Sequence, residues 1–276
     1  MIHEIAPHVY NNCFSKAEPK PDSIVIFIKN RSVLADKTSG EIRYPLYSEL
    51  TKTDGEFIHL FSVDDTDYFF GEEGCAPVDG SYEYLPAGVL MWSKPKQLAF
   101  AGIVGCQLSD WYLNNKFCGR CGKPMERDSK ERMLRCPSCG NTLYPKICPA
   151  VIVACYNGDK LLLTKYAGRG IGAYALIAGF AEIGEPIEET VRREVFEETG
   201  IKVKNLRFYK SQPWPLSDSL LMGFWCELDG SDEITVDTNE LSVAEWVSRP
   251  DIPYREVDIS LTGEMINYFK DYGAPK

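Results

Sequence analysis

Short apolar runs separated by turn-forming clusters dominate the first part of the chain. Ser23-Ile24-Val25-Ile26-Phe27-Ile28, Phe57-Ile58-His59-Leu60-Phe61 and Asp67-Tyr68-Phe69-Phe70 lie between segments rich in Gly, Asp and Pro, the pattern of short strands with tight connections. Residues 1 to about 110 therefore predict a β-rich domain, followed by a helical stretch near Ala99 to Asn114. From Ala150 onward, the runs Val151 to Tyr156 and Leu161 to Tyr166 flank Asn157-Gly158-Asp159. Asn-Gly tolerates the positive φ that two-residue hairpin turns require, so a hairpin is expected here. Further on, Ile187, Val191 and Val195 recur every four residues, the buried stripe of an amphipathic helix. Pro186 suits its first turn and Gly200 the left-handed position just past its end.

Composition bounds this picture. With 276 residues, 44% hydrophobic and 12% aromatic, the chain can fill more than one core. No window approaches the roughly 18 consecutive apolar residues of a membrane span. The N-terminus lacks a basic segment followed by an apolar one, and the C-terminus matches no address, so a cytoplasmic site is expected and no membrane partner. A net charge of −10 argues against a broad phosphate-binding surface, so any nucleic-acid contact should be local.

Four of the ten cysteines fall in two close pairs. Cys118-Gly119-Arg120-Cys121 and Cys136-Pro137-Ser138-Cys139 are fourteen residues apart, near the usual spacing of a four-thiolate zinc site. Gly122 and Gly140 follow the second cysteine of each pair, where a knuckle commonly needs positive φ. Four protein ligands leave no open position for water, so Zn²⁺ here should contribute to folding and not to chemistry. The other six cysteines read as reduced thiols.

The segment from Gly179 to Ile201 carries the most chemistry. Glu194, Glu197 and Glu198 are related by three and four residues and should share one helix face. Three carboxylates on adjoining turns near a helix C-terminus repel one another and the helix dipole. Something positive should compensate, and Mg²⁺ or Mn²⁺ prefer such oxygen ligands together with phosphates. For the glutamates alone, a solvated acidic face is an equal reading.

The complete segment decides between these. A glycine, five residues, Glu185, seven residues and then Arg193-Glu194-Val195-Phe196-Glu197-Glu198-Thr199-Gly200-Ile201 resembles the Nudix box without departure. The resemblance implies an α+β Nudix fold, an α/β/α sandwich with a mixed sheet, preceded by a zinc ribbon and a β-rich N-terminal domain. The expected boundaries are 1–114, 115–144 and 145–276. It also implies metal-dependent hydrolysis of a nucleoside diphosphate linked to another group. Glu194, Glu197 and Glu198 would hold the metals, Arg193 would orient them, Glu185 would join the catalytic set, and the Ala178 carbonyl and Glu240 would add ligands.

Downstream, Ser211-Gln212-Pro213-Trp214-Pro215-Leu216-Ser217-Asp218-Ser219 is a stiff loop with a large aromatic surface. It resembles the SQPWPFPxS signature of the NADH pyrophosphatase subfamily, with Leu216 and Ser217 departing from the usual Phe and Pro. That resemblance implies cleavage of NAD(H) to nicotinamide mononucleotide and AMP, removal of NAD caps from RNA 5′ ends, and a homodimer. It places Gln212, Pro213, Trp214, Pro215, Leu216, Ser217, Asp218, Ser219, Glu131 and Ser260 near substrate. Phe180 and a partner subunit's counterpart of Tyr144 would sandwich the nicotinamide. Two other readings stand beside it. One is a Nudix hydrolase of ADP-ribose or dinucleoside polyphosphates. The other is a noncatalytic Nudix or zinc-ribbon regulator, against which all four box glutamates speak.

Overall fold

The computed structural model describes residues 1–77, 81–168, 173–255 and 259–275. The chain forms two compact units, residues 2–146, and residues 147–276 with Met1. In the first unit the apolar runs are strands, as their pattern predicts: β1 (Tyr10–Asn11), β2 (Ile24–Ile26), β3 (Ile28–Lys29), β4 (Ser32–Ala35), β5 (Phe57–Val63), β6 (Thr66–Gly71) and β7 (Glu83–Pro86). They pair in the orders β1-β5-β6-β2 and β3-β4-β7. The run from Ser23 breaks between β2 and β3 at Phe27, and Val25, Ile26 and Phe27 are all fully buried. Continuous burial, in place of alternation, is what a strand covered on both faces shows.

A short helix α1 (Ala87–Leu90) precedes the long α2 (Lys96–Asn114), which buries Ala99, Phe100, Ala101, Ile103 and Trp111. Three short strands follow, β8 (Glu126–Arg127), β9 (Leu134–Arg135) and β10 (Thr142–Leu143), paired β10-β9-β8. Arg132 ties this small sheet to the preceding one. Its guanidinium donates to the carbonyl of Asn12 at 3.1 Å and to that of Leu60. An open cleft of about 820 Å³ lies within this unit, lined among others by Phe57, His59, Tyr112 and Arg127.

The second unit contains β11 (Cys148–Asn157), β12 (Lys160–Tyr166), β13 (Ile177–Phe180), α3 (Ile187–Thr199), β14 (Val203–Trp214), β15 (Ser219–Leu228), β16 (Leu241–Ser248) and α4 (Leu261–Tyr272). The sheet runs β14-β15-β11-β12-β16, with β13 paired to β11. It is mixed, since β11 is parallel to β15 and antiparallel to β12 and β13. Side chains along β11 alternate between two cores. Val151, Val153 and Cys155 pack with Val191 and Val195 of α3, while Ile152, Ala154 and Tyr156 pack with Leu261, Met265 and Phe269 of α4. The sheet is thus a middle layer between two helices, the α/β/α sandwich expected. Each fully buried valine of the α3 stripe contributes about 1.5–3 kcal/mol of burial free energy.

Two local expectations shift by one residue. The β11–β12 turn is Gly158-Asp159, because Asn157 pairs with Lys160. Positive φ (59°) falls on Gly158, the residue that adopts it without a Cβ clash. Pro186 is the cap preceding α3, with an extended backbone, and the helix starts at Ile187. Among the described residues no helix is long and apolar enough to cross a membrane.

Candidate active site and metal centre

The two cysteine knuckles repeat one backbone pattern. The amide of Gly122 donates to the Cys118 carbonyl at 2.8 Å, and that of Gly140 to the Cys136 carbonyl at 2.9 Å. Both glycines have positive φ, 71° and 74°, which lets the chain turn back under the sulfurs without Cβ strain. The four Sγ atoms lie within 4.8 Å of one another. Cys118 to Cys139 is 3.7 Å and Cys121 to Cys136 is 3.5 Å, close to the edge of about 3.8 Å that a tetrahedron with zinc–sulfur bonds near 2.3 Å would have. These separations far exceed a sulfur–sulfur bond. The Arg120 amide, donating to the Cys118 sulfur at 3.4 Å, is foremost in lowering that thiol to about 6. The donor set therefore fits zinc.

The carboxylate site is assembled differently. Along α3 the residues Thr190, Glu194 and Glu198 form a stripe beside the apolar Val191 and Val195, and this whole band is buried. Glu197 is exposed. The three glutamates expected on one face thus differ in burial, Glu194 and Glu198 lying against the sheet and Glu197 at the solvent edge. Arg193 reconnects them. Its Nη1 donates to Glu194 Oε1 at 2.8 Å and to Glu197 Oε2 at 3.0 Å. Its Nε and Nη2 grip the two oxygens of Glu185 at 2.8 and 2.9 Å, and Nη2 also reaches the Phe180 carbonyl at 3.0 Å. A planar guanidinium can serve several acceptors in this way. The Arg193 guanidinium is the main reason that the Glu185 carboxyl is lowered to about 2. Thr190, which sequence reading did not single out, donates its hydroxyl to Glu185 Oε2 at 2.8 Å.

Gly179 gives Glu194 its place. A Cβ on Gly179 would stand 1.9 Å from Glu194 Cδ and 2.1 Å from each carboxylate oxygen. The absence of a side chain there is a requirement of the glutamate and not of the backbone. Glu194 is raised, chiefly by burial, with Arg193 opposing.

Glu198 is the exception to this pairing. It is 2% exposed, and neither carboxylate oxygen has a hydrogen-bond partner among the described residues. The Ala178 backbone opposes its upward shift. Burial pushes this carboxyl up to about 8, helped by the charges of Glu240, Glu194 and Asp237. A buried carboxyl without a donor, beside three further acids, is costly unless protonated or met by a cation. The donors fit a hard divalent ion on that ground. Asp237 is a second residue that sequence reading missed. Its amide donates to the Glu198 carbonyl at 3.0 Å, and Glu240 follows in the same turn. An Asp three residues before Glu240 was the available signal.

The remaining site residues of the second unit gather at one end of its sheet. Phe180 is in register with Ala150, Ala150 with Leu221, and Leu221 with Gln212. Two residues along, another row joins Cys148, Ser219 and Trp214. Phe180 is 52% exposed, so it is not a core residue. Pro213, Trp214 and Leu216 are half-buried, Pro215 is buried, and Ser217 is exposed. Asp218 adopts positive φ (55°) at the end of a short 3₁₀ turn, and Ser217 and Ser219 share a hydroxyl contact at 2.9 Å. Two residues have their polar groups engaged internally. Gln212, fully buried, donates to the Ile259 carbonyl at 2.9 Å and accepts from the Leu261 amide at 2.7 Å. Ser260 caps α4, accepting from the Gly263 amide at 3.1 Å. Both place the start of α4. In the first unit, Tyr144 is 53% exposed and donates its hydroxyl to Glu131 at 3.0 Å.

Residues 146–266 match the NUDIX domain, and residues 113–144 match the NADH pyrophosphatase zinc ribbon domain. Curated relatives include the proteins called NAD-capped RNA hydrolase NudC from Salmonella typhi and from Salmonella heidelberg (strain SL476). Each is 45% identical over 149 residues, which is 54% of this chain and 58% of theirs. The match thus spans little more than half the length of these relatives. Among solved structures, the crystal structure of a NUDIX hydrolase from Nitrosomonas europaea has a TM-score of 0.49 and 22% identity, covering 56% of this chain and 90% of that one. Between residues 113 and 266, then, the chain carries a segment similar to the NADH pyrophosphatase zinc ribbon domain followed by one similar to the NUDIX domain.

Proposed function

We propose that this protein hydrolyses the pyrophosphate bond of NAD(H), giving nicotinamide mononucleotide and AMP, and removes NAD caps from RNA 5′ ends. The observation that carries the reading is Glu198, buried among Glu194, Glu240 and Asp237 with no hydrogen-bond partner for its carboxylate among the described residues. The names of the curated relatives support the substrate. Mg²⁺ or Mn²⁺ held by Glu194, Glu197, Glu198, Glu240 and the Ala178 carbonyl would neutralise the pyrophosphate and acidify a water for in-line attack.

The chain's own residues do the rest. Glu185 locks the Arg193 guanidinium, which aligns Glu194 and Glu197 and pins the Phe180 carbonyl. Glu198 holds a proton in the absence of a cation and releases it when one is bound. Phe180 offers a half-exposed ring for the nicotinamide, and Tyr144, its hydroxyl held by Glu131, offers another from the partner subunit of a homodimer. The SQPWP-like segment from Gln212 to Ser219 forms the substrate rim at the same end of the sheet as Phe180. Residues 1–114 serve as scaffold, 115–144 as the structural zinc module and 145–276 as the catalytic domain, acting in the cytoplasm.

The test is a substrate panel. Pure protein is incubated with NADH, NAD⁺, ADP-ribose and NAD-capped RNA in Mg²⁺ or Mn²⁺, and rates are compared. Faster cleavage of the nicotinamide dinucleotides is expected. A clear preference for ADP-ribose, or undiminished cleavage in excess chelator, overturns the reading.

A further inference from the structure

The zinc ribbon's charge is opposite to that of the chain around it. Residues 115–146 hold eight Lys and Arg against three Asp and Glu, a net of +5 in a chain whose net charge is −10, so all other residues together carry −15. Four thiolates on one divalent ion take back only two of those charges. Of the eight cations, Arg127 is paired with Glu56 and Arg132 serves the carbonyls of Asn12 and Leu60. The other six, Lys116, Arg120, Lys123, Lys130, Arg135 and Lys146, are exposed, and none is in a salt bridge among the described residues. Strand alternation turns Leu134 inward and Arg135 outward. Two aromatic rings stand out on the same small module, Phe117 at 66% exposure and Tyr144 at 53%.

We infer that the ribbon is an electrostatic dock for the single-stranded RNA body behind a cap, a role that rests on the capped-RNA reading above. Six unpaired cations maintained in an acidic protein match a phosphodiester backbone, whose binding releases counterions. Exposed aromatic faces beside them suit unpaired bases, which a duplex would hide. Free NAD(H), which has no chain behind it, would not use these six cations.

The test compares the full-length, zinc-loaded protein with a Lys116→Gln/Arg120→Gln/Lys123→Gln/Lys130→Gln variant. Binding of a 5′-monophosphate single-stranded RNA of about sixteen nucleotides is followed by fluorescence anisotropy across a salt series. Removing four phosphate contacts should flatten the slope of log K against log salt by about 3, at roughly 0.7 per contact. NADH hydrolysis, zinc content and melting temperature should stay at wild-type values. Unchanged RNA affinity and slope overturn the inference, as does an equal loss in NADH hydrolysis. Intact RNA binding with altered self-association in sedimentation also overturns it, since the basic face would then meet an acidic protein surface. If the wild type binds RNA through this slope but leaves NADH intact, the functional reading fails while the dock stands.

Discussion

The two candidate metal sites are built on opposite principles. In the ribbon, each pair of sulfurs comes from one tight turn, the four donors already converge, and all lie between Cys118 and Cys139. In the box, the acids come from α3 and from the turn at Asp237 to Glu240, and one cationic side chain, Arg193, holds two of them, Glu194 and Glu197. The first arrangement is closed, with no position left for a water, as a folding device should be. The second keeps one buried carboxyl, Glu198, uncompensated, and an uncompensated charge site can accept a cation together with an anionic substrate.

The largest effect should come from breaking the closed site. Cys118→Ser should abolish zinc retention and unfold the ribbon, because metal binding there is coupled to folding, on the order of 10 kcal/mol of apparent binding energy. Zinc analysis alongside thermal melts checks it, and full occupancy with an unchanged melt contradicts it. Next is Glu198→Gln, which should lower turnover about a hundredfold or more, in the range for a key electrostatic group, with fold intact. Near-normal kcat for NADH moves the catalytic role elsewhere.

Gly179→Ala tests whether Glu194 needs the room it occupies. The added methyl overlaps the carboxylate, so a stability cost of about 1–3 kcal/mol by overpacking is expected, with a turnover loss larger than the change in KM. A neutral variant shows that Glu194 can stand elsewhere. Phe180→Ala should cost roughly 1–3 kcal/mol of aromatic stacking for NADH, one to two powers of ten in kcat/KM, and less for ADP-ribose. Equal losses on both make Phe180 a packing residue.

A separate effect, read on stability alone, is a pH dependence peculiar to the open site. Glu198 sits at about 8 in the fold, above its unfolded value of about 4.3, so the folded state keeps a proton that the unfolded state has lost. Its stabilising contribution is complete below about 4.3 and disappears as pH rises through about 8. Metal-free protein should therefore lose stability across that window in denaturant titrations. Glu198→Gln should flatten the slope, and a slope identical in both assigns the titration to another group.

Much of this was legible in the chain. The strands of the first unit follow their apolar runs, and α3 follows the four-residue recurrence of Ile187, Val191 and Val195. The knuckles follow the cysteine spacing and the glycines after them, because both are local: a few residues determine whether a turn closes. The same holds for Gly200, left-handed at the end of α3. The sequence pattern was silent where side chains choose between neighbours. Gln212 and Ser260 read as substrate contacts, yet their polar atoms are engaged with the backbone at the start of α4, a contact between segments nearly fifty residues apart. Spacing placed Glu194, Glu197 and Glu198 on one face, whereas packing against the sheet buries two and leaves the third in solvent.

By itself, then, the sequence determined the periodicities, the turns and the inventory of donors, since these depend on φ, side-chain type and separation along one element. Only the tertiary structure decided which donors lack partners. Burial and through-space charge set that outcome, and both depend on what the folded chain packs around a residue: for Glu198, the α3 interface beside Ala178 and the approach of Glu240 and Asp237 from a turn some forty residues away.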